Sequence, residues 1–250
     1  MSENLEKVAG RKDIEKYYQD QDRAWNEQQE YLLMMSKKIG AIETATWCSP
    51  EFDMKRFLEQ AAKPFVEVGG PTDQGFRIVS PRDITEAGKH FVVTNIDEGV
   101  HIYPPVERGH ENDPLFAKIK ISEAEMVADG RRLPFQDNSL AGMFAACMQR
   151  STRAAILTEA ARVIEPGGIL VWQAPFEEDL LTSERLGLKL VAHEWDLPHN
   201  LVKNMNRPSS NDIDSVREAV VAAALQAGLP RLHETAKVPR HCIFQKAMQV

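Results

Sequence analysis

Ala128-Asp129-Gly130-Arg131-Arg132-Leu133-Pro134-Phe135-Gln136-Asp137-Asn138-Ser139-Leu140 is the stretch on which the fold reading turns. It starts where the apolar run Glu125-Met126-Val127-Ala128 ends, and an acid and a glycine follow at once. Leu133-Pro134-Phe135 makes an apolar plug, Gln136 to Ser139 a polar turn, and a second apolar run follows at Met143-Phe144-Ala145-Ala146-Cys147. Short apolar bursts without alternation are the mark of strands covered on both faces, which occur in parallel sheets flanked by helices.

The same rhythm continues on both sides of that stretch. Upstream, Phe65-Val66-Glu67-Val68 ends in glycines, and Phe91-Val92-Val93-Thr94-Asn95-Ile96 ends at Asp97. Downstream, Ser151 to Ile164 reads as an amphipathic helix whose Ala155, Ile156, Ala160 and Val163 can face a sheet. It stops at Glu165-Pro166-Gly167-Gly168, where proline cannot extend a helix and glycine supplies a left-handed turn. Ile169-Leu170-Val171-Trp172 is the next burst. Near the end, Asp214 to Gly228 predicts a helix, and Leu232–Val238 and His241–Ala247 predict strands turning at Pro239-Arg240. Their close spacing makes that pair antiparallel. The expected fold is α/β, a doubly wound, mostly parallel seven-stranded sheet with an antiparallel last strand.

Two regions lie outside this rhythm. Ile14, Tyr17, Tyr18, Trp25, Leu32, Met35, Ile39 and Ile42 recur at helical steps, so residues 1–60 are expected to form a helical extension. A helix packed outside the main domain, a lid and a homodimer contact are the open readings of its apolar face. Residues 176–211 show no clear period and read as a lid-like insertion in a domain spanning 61–250.

Composition bounds the function. The chain has 250 residues, 43% of them hydrophobic and 27% charged, enough for one ordinary domain with additions. A net charge of −7 argues against general affinity for nucleic acid or anionic membrane. Cys48, Cys147 and Cys242 are odd in number and widely spaced, which disfavours a disulfide framework or a thiolate zinc site and fits a reducing cytoplasm. No stretch reaches the ~18 apolar residues of a membrane span.

In an open α/β sheet, ligands bind at the carboxyl ends of the strands, so the residues just after each burst matter most. Gly69-Gly70-Pro71-Thr72-Asp73-Gln74-Gly75 permits a sharp turn but lacks the G-x-G-x-x-G pattern of dinucleotide sites. Its Asp73 is ill placed beside a pyrophosphate. The loop suits a cofactor with no phosphates and a positive charge, a sulfonium, or else is a plain tight turn. Asp97 is either an acceptor for a ribose diol or a turn-forming acid. Asp129 can accept a bond from the exocyclic amine of adenine while the Gly130 amide donates to a ring nitrogen.

The D-G-x-x-L-P-F-x-D-x-S run at 129–139, the Glu159-Ala-Ala-Arg162-Val163-Ile164-Glu-Pro166-Gly167-Gly168 segment and the Val66-Glu67-Val68-Gly69-Gly70 loop together resemble the class I S-adenosylmethionine-dependent methyltransferases, in the small-molecule branch with the L-P-F signature. The motifs run in the family's order from about Phe65 to Pro175. The resemblance implies a Rossmann-like methyltransferase fold and S-adenosyl-L-methionine as cofactor. It implies that Glu67 lies below the methionine moiety, that Gly69 and Gly70, with Pro71 beside them, allow close approach, and that Asp97 holds the ribose hydroxyls. Asp129 and Gly130 then hold the adenine, and Cys147 and Met148 line the methionine end. Pro71 and Asp73 stand where the family has further glycines, and Ala141 stands where it has an acid.

Methyl transfer from a sulfonium is an in-line displacement, so the protein's main task is to align a nucleophile in a dry site. A base is needed only for an acceptor that is protonated at neutral pH. His193, Glu194, Asp196 and His199 are candidates, or they form a solvated acidic loop; no metal is expected from their spacing. Trp25 and Trp195 wall a substrate or simply pack. The expected activity is methylation of a small molecule, with no nucleic acid or membrane partner. The alternative is a catalytically degenerate member that binds cofactor or a partner protein.

Overall fold

The computed structural model describes residues 42–48, 52–70, 79, 81–95, 126–146, 148, 150–173, 175–198, 205, 212–226 and 239–248. Chain contacts separate one compact unit, Thr46–Glu194 with Val238–Val250, from another, Met1–Ala45 with Trp195–Lys237. The first carries most of the sheet.

Eight strands are described: β1 (Ile42–Cys48), β2 (Phe65–Val68), β3 (Phe91–Asn95), β4 (Met126–Val127), β5 (Leu140–Ala145), β6 (Ile164–Gln173), β7 (Leu188–Pro198) and β8 (His241–Lys246). They lie in the order β1-β7-β8-β6-β5-β2-β3-β4. β2 pairs in parallel with β3 and β5, β3 with β4, and β5 with β6. β8 runs antiparallel to both β6 and β7. The doubly wound sheet with an antiparallel last strand is therefore as expected, with β1 as an additional edge strand.

Helices α1 (Met54–Gln60), α2 (Pro81–Glu86), α3 (Arg153–Val163) and α4 (Glu177–Arg185) belong to the first unit. On one sheet face, Leu58 of α1 and Ile84 of α2 share a core with Phe65, Phe144, Ile169, Val171 and Ile243. Phe91 meets Phe144 edge-on at 5.5 Å. The opposite face carries Met143, Leu170 and Trp172, all fully buried; α3 and α4 lie on this side, Asp179 of α4 accepting from Trp172. Burying large side chains on both faces removes each from water at roughly 1.5–3 kcal/mol.

Lysines staple the amino edge of this sheet. Lys246 Nζ donates to Ala161 O, to Ile164 O at 2.7 Å and to Asn138 Oδ1 at 2.8 Å, capping the end of α3. Lys63 Nζ donates to Asn138 O at 2.7 Å and Lys89 Nζ to Ala61 O at 2.6 Å. Carbonyls left over at a helix end find cations there, in the sense favoured by the helix dipole. Gly167, at φ +83, makes the predicted turn after α3.

Three expectations about organisation change. Ile42–Cys48 is a strand, not the end of a helix: β-branched Ile42, Thr44 and Thr46 at alternate positions favour a pleated chain over the three- and four-residue steps that precede them. Residues 176–211 are not a loop insertion throughout, since they contain α4 and β7, a strand inside the sheet. A register shift between Leu190 and Ala192 and buried His193 and Glu194 hide its alternation from a sequence reading. The neighbours of β8 are accordingly β6 and β7; Leu232–Val238 lies outside the described residues, as do residues 1–41. In the second unit, α5 (Ile213–Gln226) matches the predicted helix and is capped by Asp212, whose carboxylate accepts from Ser215 N at 2.9 Å.

Candidate functional site

Chain order reverses between β2 and β5: β3 and β4 extend the sheet to one side, β5 and β6 to the other. A crevice opens at such a reversal, at the strands' carboxyl ends. The loop leaving β2 and the loop leaving β5 meet there. Gly69 has φ +79, a conformation that costs a side-chain-bearing residue, and a Cβ on it would sit 2.6 Å from Met148 Cε and 3.0 Å from Ala146 O. Met148 thus lies against the glycine turn.

Glu67 is buried in β2, and its carboxylate curls under the next turn. A Cβ on Gly70 would lie 2.7 Å from Glu67 Oε1 and collide with Cδ. The turn is held from β3. Gly69 N and Gly70 N donate to Thr94 O at 3.0 and 3.2 Å, and Asn95 Nδ2 donates to Gly70 O at 2.7 Å. Thr94 Oγ1 donates to Glu67 O at 2.9 Å. Asn95 also accepts on its own carbonyl from Ala128 N at 2.8 Å, so this one residue joins the β2 loop to the β4 loop. Sequence reasoning passed over Thr94 and Asn95; two polar residues closing an apolar burst were the available signal.

The stretch quoted first is built as a hub. Gly130 is buried, and a Cβ there would lie 2.5 Å from Val68 Cγ1 and 3.5 Å from Ile156 Cγ1, so the loop that begins at Asp129 touches the end of β2 and α3. Asp129 accepts from its neighbour Arg131 through the amide at 2.9 Å, through Nε at 2.9 and 3.0 Å and through Nη2 at 2.7 Å. Burial works against the charge on Asp129, but the Arg131 guanidinium and amide outweigh it and hold the carboxyl below its ordinary value. These contacts engage both carboxylate oxygens, two on each, the Nε hydrogen being shared between them.

Glu159 and Arg162 act on the Leu133-Pro134-Phe135 plug. Glu159 Oε1 accepts from Leu133 N at 2.6 Å, while Arg162 donates to Leu133 O at 3.2 Å, Phe135 O at 2.9 Å and Asp137 Oδ1 at 2.6 Å. Arg162 and Glu159 are themselves paired at 2.5 Å. The two conspicuous sequence segments are thereby one structure: α3 clamps the loop that begins at Asp129.

A second buried hub was not anticipated. Arg153 and Asp179 are almost wholly buried and paired at 2.6 Å. Asp179 Oδ2 also accepts from Trp172 Nε1 at 3.2 Å and Phe176 N at 2.8 Å. Arg153 donates to Met148 O at 3.3 Å and Gln173 O at 3.2 Å, and its guanidinium lies 4.9 Å from the Trp172 ring centroid. It ties the ends of β5 and β6 to α4. No motif announced it, because a lone arginine opening a helix looks like a surface residue.

Of the other expected residues, Pro71, Asp97, Cys147 and His199 lie outside the described residues, though β3 ends two residues before Asp97. His193, Glu194 and Trp195 do not sit in an overhanging loop; they are buried in β7. Cys242 is a buried free thiol that burial pushes well above its ordinary pKa. Among the described residues, no group of His, Cys, Asp and Glu is arranged to hold a metal ion, and no helix is long and apolar enough to cross a membrane.

No protein-family model and no curated protein matches the chain. Solved structures do. A structure from Haloferax volcanii, of the methyltransferase activator Trm112 with a methyltransferase-like protein, matches at 13% identity over 77% of this chain and 88% of that one, TM-score 0.38. The [4+2]-cyclase SpnF matches at 16% identity over 81% and 87%, TM-score 0.37. Geranyl diphosphate C-methyltransferase from Streptomyces coelicolor, holding Mg2+, geranyl diphosphate and S-adenosyl-L-homocysteine, matches at 11% over 76% and 74%, TM-score 0.37. The strand order and the loops at its reversal, rather than these likenesses, carry the reading that follows.

Proposed function

We propose that this protein is an S-adenosylmethionine-dependent methyltransferase acting on a small molecule. The observation that carries the proposal is the convergence, at the β2/β5 reversal, of the Glu67-backed glycine turn, Met148 and the Asp129-Gly130 turn. Each of the three glycines stands where a Cβ would strike a neighbour, so the turns can pack this closely only because they carry no side chain. The acids beside this backbone favour a cationic ligand over a pyrophosphate, in line with the sequence argument.

When bound, S-adenosylmethionine supplies an electrophilic methyl carbon on a cationic sulfur. In this reading Glu67 positions the glycine turn from below, Asp129 takes the adenine amine, and the Gly130 amide donates to the ring. Met148 walls the methionine end. Pro71, Asp97 and Cys147 complete the cofactor contacts.

Titration calorimetry with S-adenosylmethionine, S-adenosylhomocysteine and NAD tests the assignment. Binding of the first two and not the third is expected. Binding of NAD alone would refute it, and cofactor binding without turnover on any acceptor would favour the non-catalytic alternative.

A further inference from the structure

Beyond β6 the carboxyl edge carries a second polar feature. Gln173 of β6, His241 of β8 and Glu194 of β7 lie directly opposite one another in register, so their side chains share one sheet face. That face also carries Glu67, because Glu67 lies opposite Phe144, Phe144 opposite Val171, and Gln173 two residues beyond Val171. Glu194 and His241 are both fully buried. Glu194 Oε1 lies 3.8 Å from His241 Nδ1, too long for a hydrogen bond, and neither Glu194 oxygen meets a hydrogen-bond donor among the described residues.

A buried carboxyl group left without a hydrogen bond is costly and is rare in a purely structural position. Its cost has an explanation if a ligand supplies the donor. The row is continuous with the candidate cofactor loops: Met148 lies against Gly69, Arg153 bonds the carbonyls of both Met148 and Gln173, and Gln173 faces His241. Among the described residues the part-buried lysines of the amino edge end on backbone carbonyls instead.

We propose that Glu194 and His241 form the acid–base pair of the acceptor site, and that the acceptor is therefore a small molecule methylated on an N–H or O–H group. The proposal rests on the methyltransferase reading. The acceptor heteroatom forms its bond to the methyl carbon as the carbon–sulfur bond breaks and its electron pair returns to sulfur. The proton lost by the heteroatom passes to His241, and the Glu194 carboxylate holds the imidazolium that results, drawing in from 3.8 Å. His241 is the catalytic residue and Glu194 the positioning residue. A carbon or thioether acceptor has no such proton to give and makes no use of the pair.

The full-length protein, saturated with S-adenosylmethionine, is incubated with a low-molecular-weight metabolite extract, and S-adenosylhomocysteine release is followed for wild type, His241→Asn, Glu194→Gln and Glu194→Asp. Calorimetry with S-adenosylhomocysteine runs in parallel. The expected result is a loss of about 10²-fold or more in kcat for His241→Asn. Glu194→Gln should lose kcat at unchanged KM for S-adenosylmethionine, Glu194→Asp should restore part of it, and S-adenosylhomocysteine affinity should stay within twofold throughout. Glu194→Gln should melt no lower than wild type, since it removes a buried charge. Wild-type kcat in His241→Asn, or a Glu194→Gln protein that melts several degrees lower while turning over normally, overturns the pair as a catalytic device. Cofactor binding with no turnover in wild type also overturns it while leaving the cofactor site standing. Failure of the cofactor to bind removes the methyltransferase reading itself.

Discussion

Asp129 shows how one residue serves two ends. Its bonds to Arg131 fix the rotamer and keep the carboxyl ionised, and in the proposed cofactor site the same carboxylate takes the adenine amine, sharing it with the guanidinium. Asp129→Ala should weaken S-adenosylmethionine binding about tenfold or more, as a lost charge-assisted bond costs roughly 1.5–3 kcal/mol; calorimetry at neutral pH reads this, and unchanged affinity sinks the adenine assignment. Glu159 gives a pH test. Its bonds with Arg162 lower its carboxyl, burial opposes them, and the Leu133 amide adds to the lowering, so the folded value lies below the ordinary 4.5. A group depressed on folding stabilises fully above its unfolded value and loses that contribution as pH falls through the folded value. The urea midpoint of wild type should therefore exceed that of Glu159→Gln at pH 6, and the gap should close as pH drops below about 4.5. A gap that persists into stronger acid contradicts the ion-pair account.

At the scale of elements, helices in this molecule are clamps for loops as well as covers for a sheet. α3 holds the Leu133–Phe135 plug through Glu159 and Arg162, and through Arg153 it reaches α4 and the ends of β5 and β6. A buried pair broken on one side leaves an uncompensated charge. Arg153→Met alone should cost about 3–5 kcal/mol of unfolding free energy. The double variant Arg153→Met/Asp179→Leu should lose less than the single, because both charges leave together. Urea denaturation of the three proteins decides it, and a double variant that loses as much as the single or more would mean that the pair is not coupled. The helix Arg153–Val163 was legible from its period and its Pro-Gly stop, within two residues at each end. β7 was not, since a register shift and two buried ionisable residues break the alternation by which strands are recognised.

Across the whole molecule, the division of labour between the two sheet edges stands out. The amino edge is closed by Lys63, Lys89 and Lys246 bonding to carbonyls, and the carboxyl edge gathers the glycine turns, Asp129 and the Glu194–His241 pair. Between them the core depends on large side chains such as Phe144, which is fully buried and packs on Phe91. Phe144→Ala should lower the unfolding free energy by about 3–5 kcal/mol without altering the carboxyl-edge loops; a melting curve and a cofactor titration on the same sample check both halves.

Much of this was present in the chain before folding was considered. The bursts at Phe65, Phe91, Met126, Met143 and Ile169, each followed by glycine or polar residues, determined an α/β sheet with chemistry at one edge, because burial on two faces demands unbroken apolar runs and turns demand residues that tolerate them. The D-G-x-x-L-P-F run and the Glu159–Gly168 segment were visible separately. Only the tertiary structure decided that α3 grips that run, that Thr94 and Asn95 hold the glycine turn, that Ile42–Cys48 and Leu188–Pro198 are strands, and that His241 meets Glu194. Those pairings join residues far apart in the chain, and local propensity carries no information about which distant partner will satisfy a buried charge.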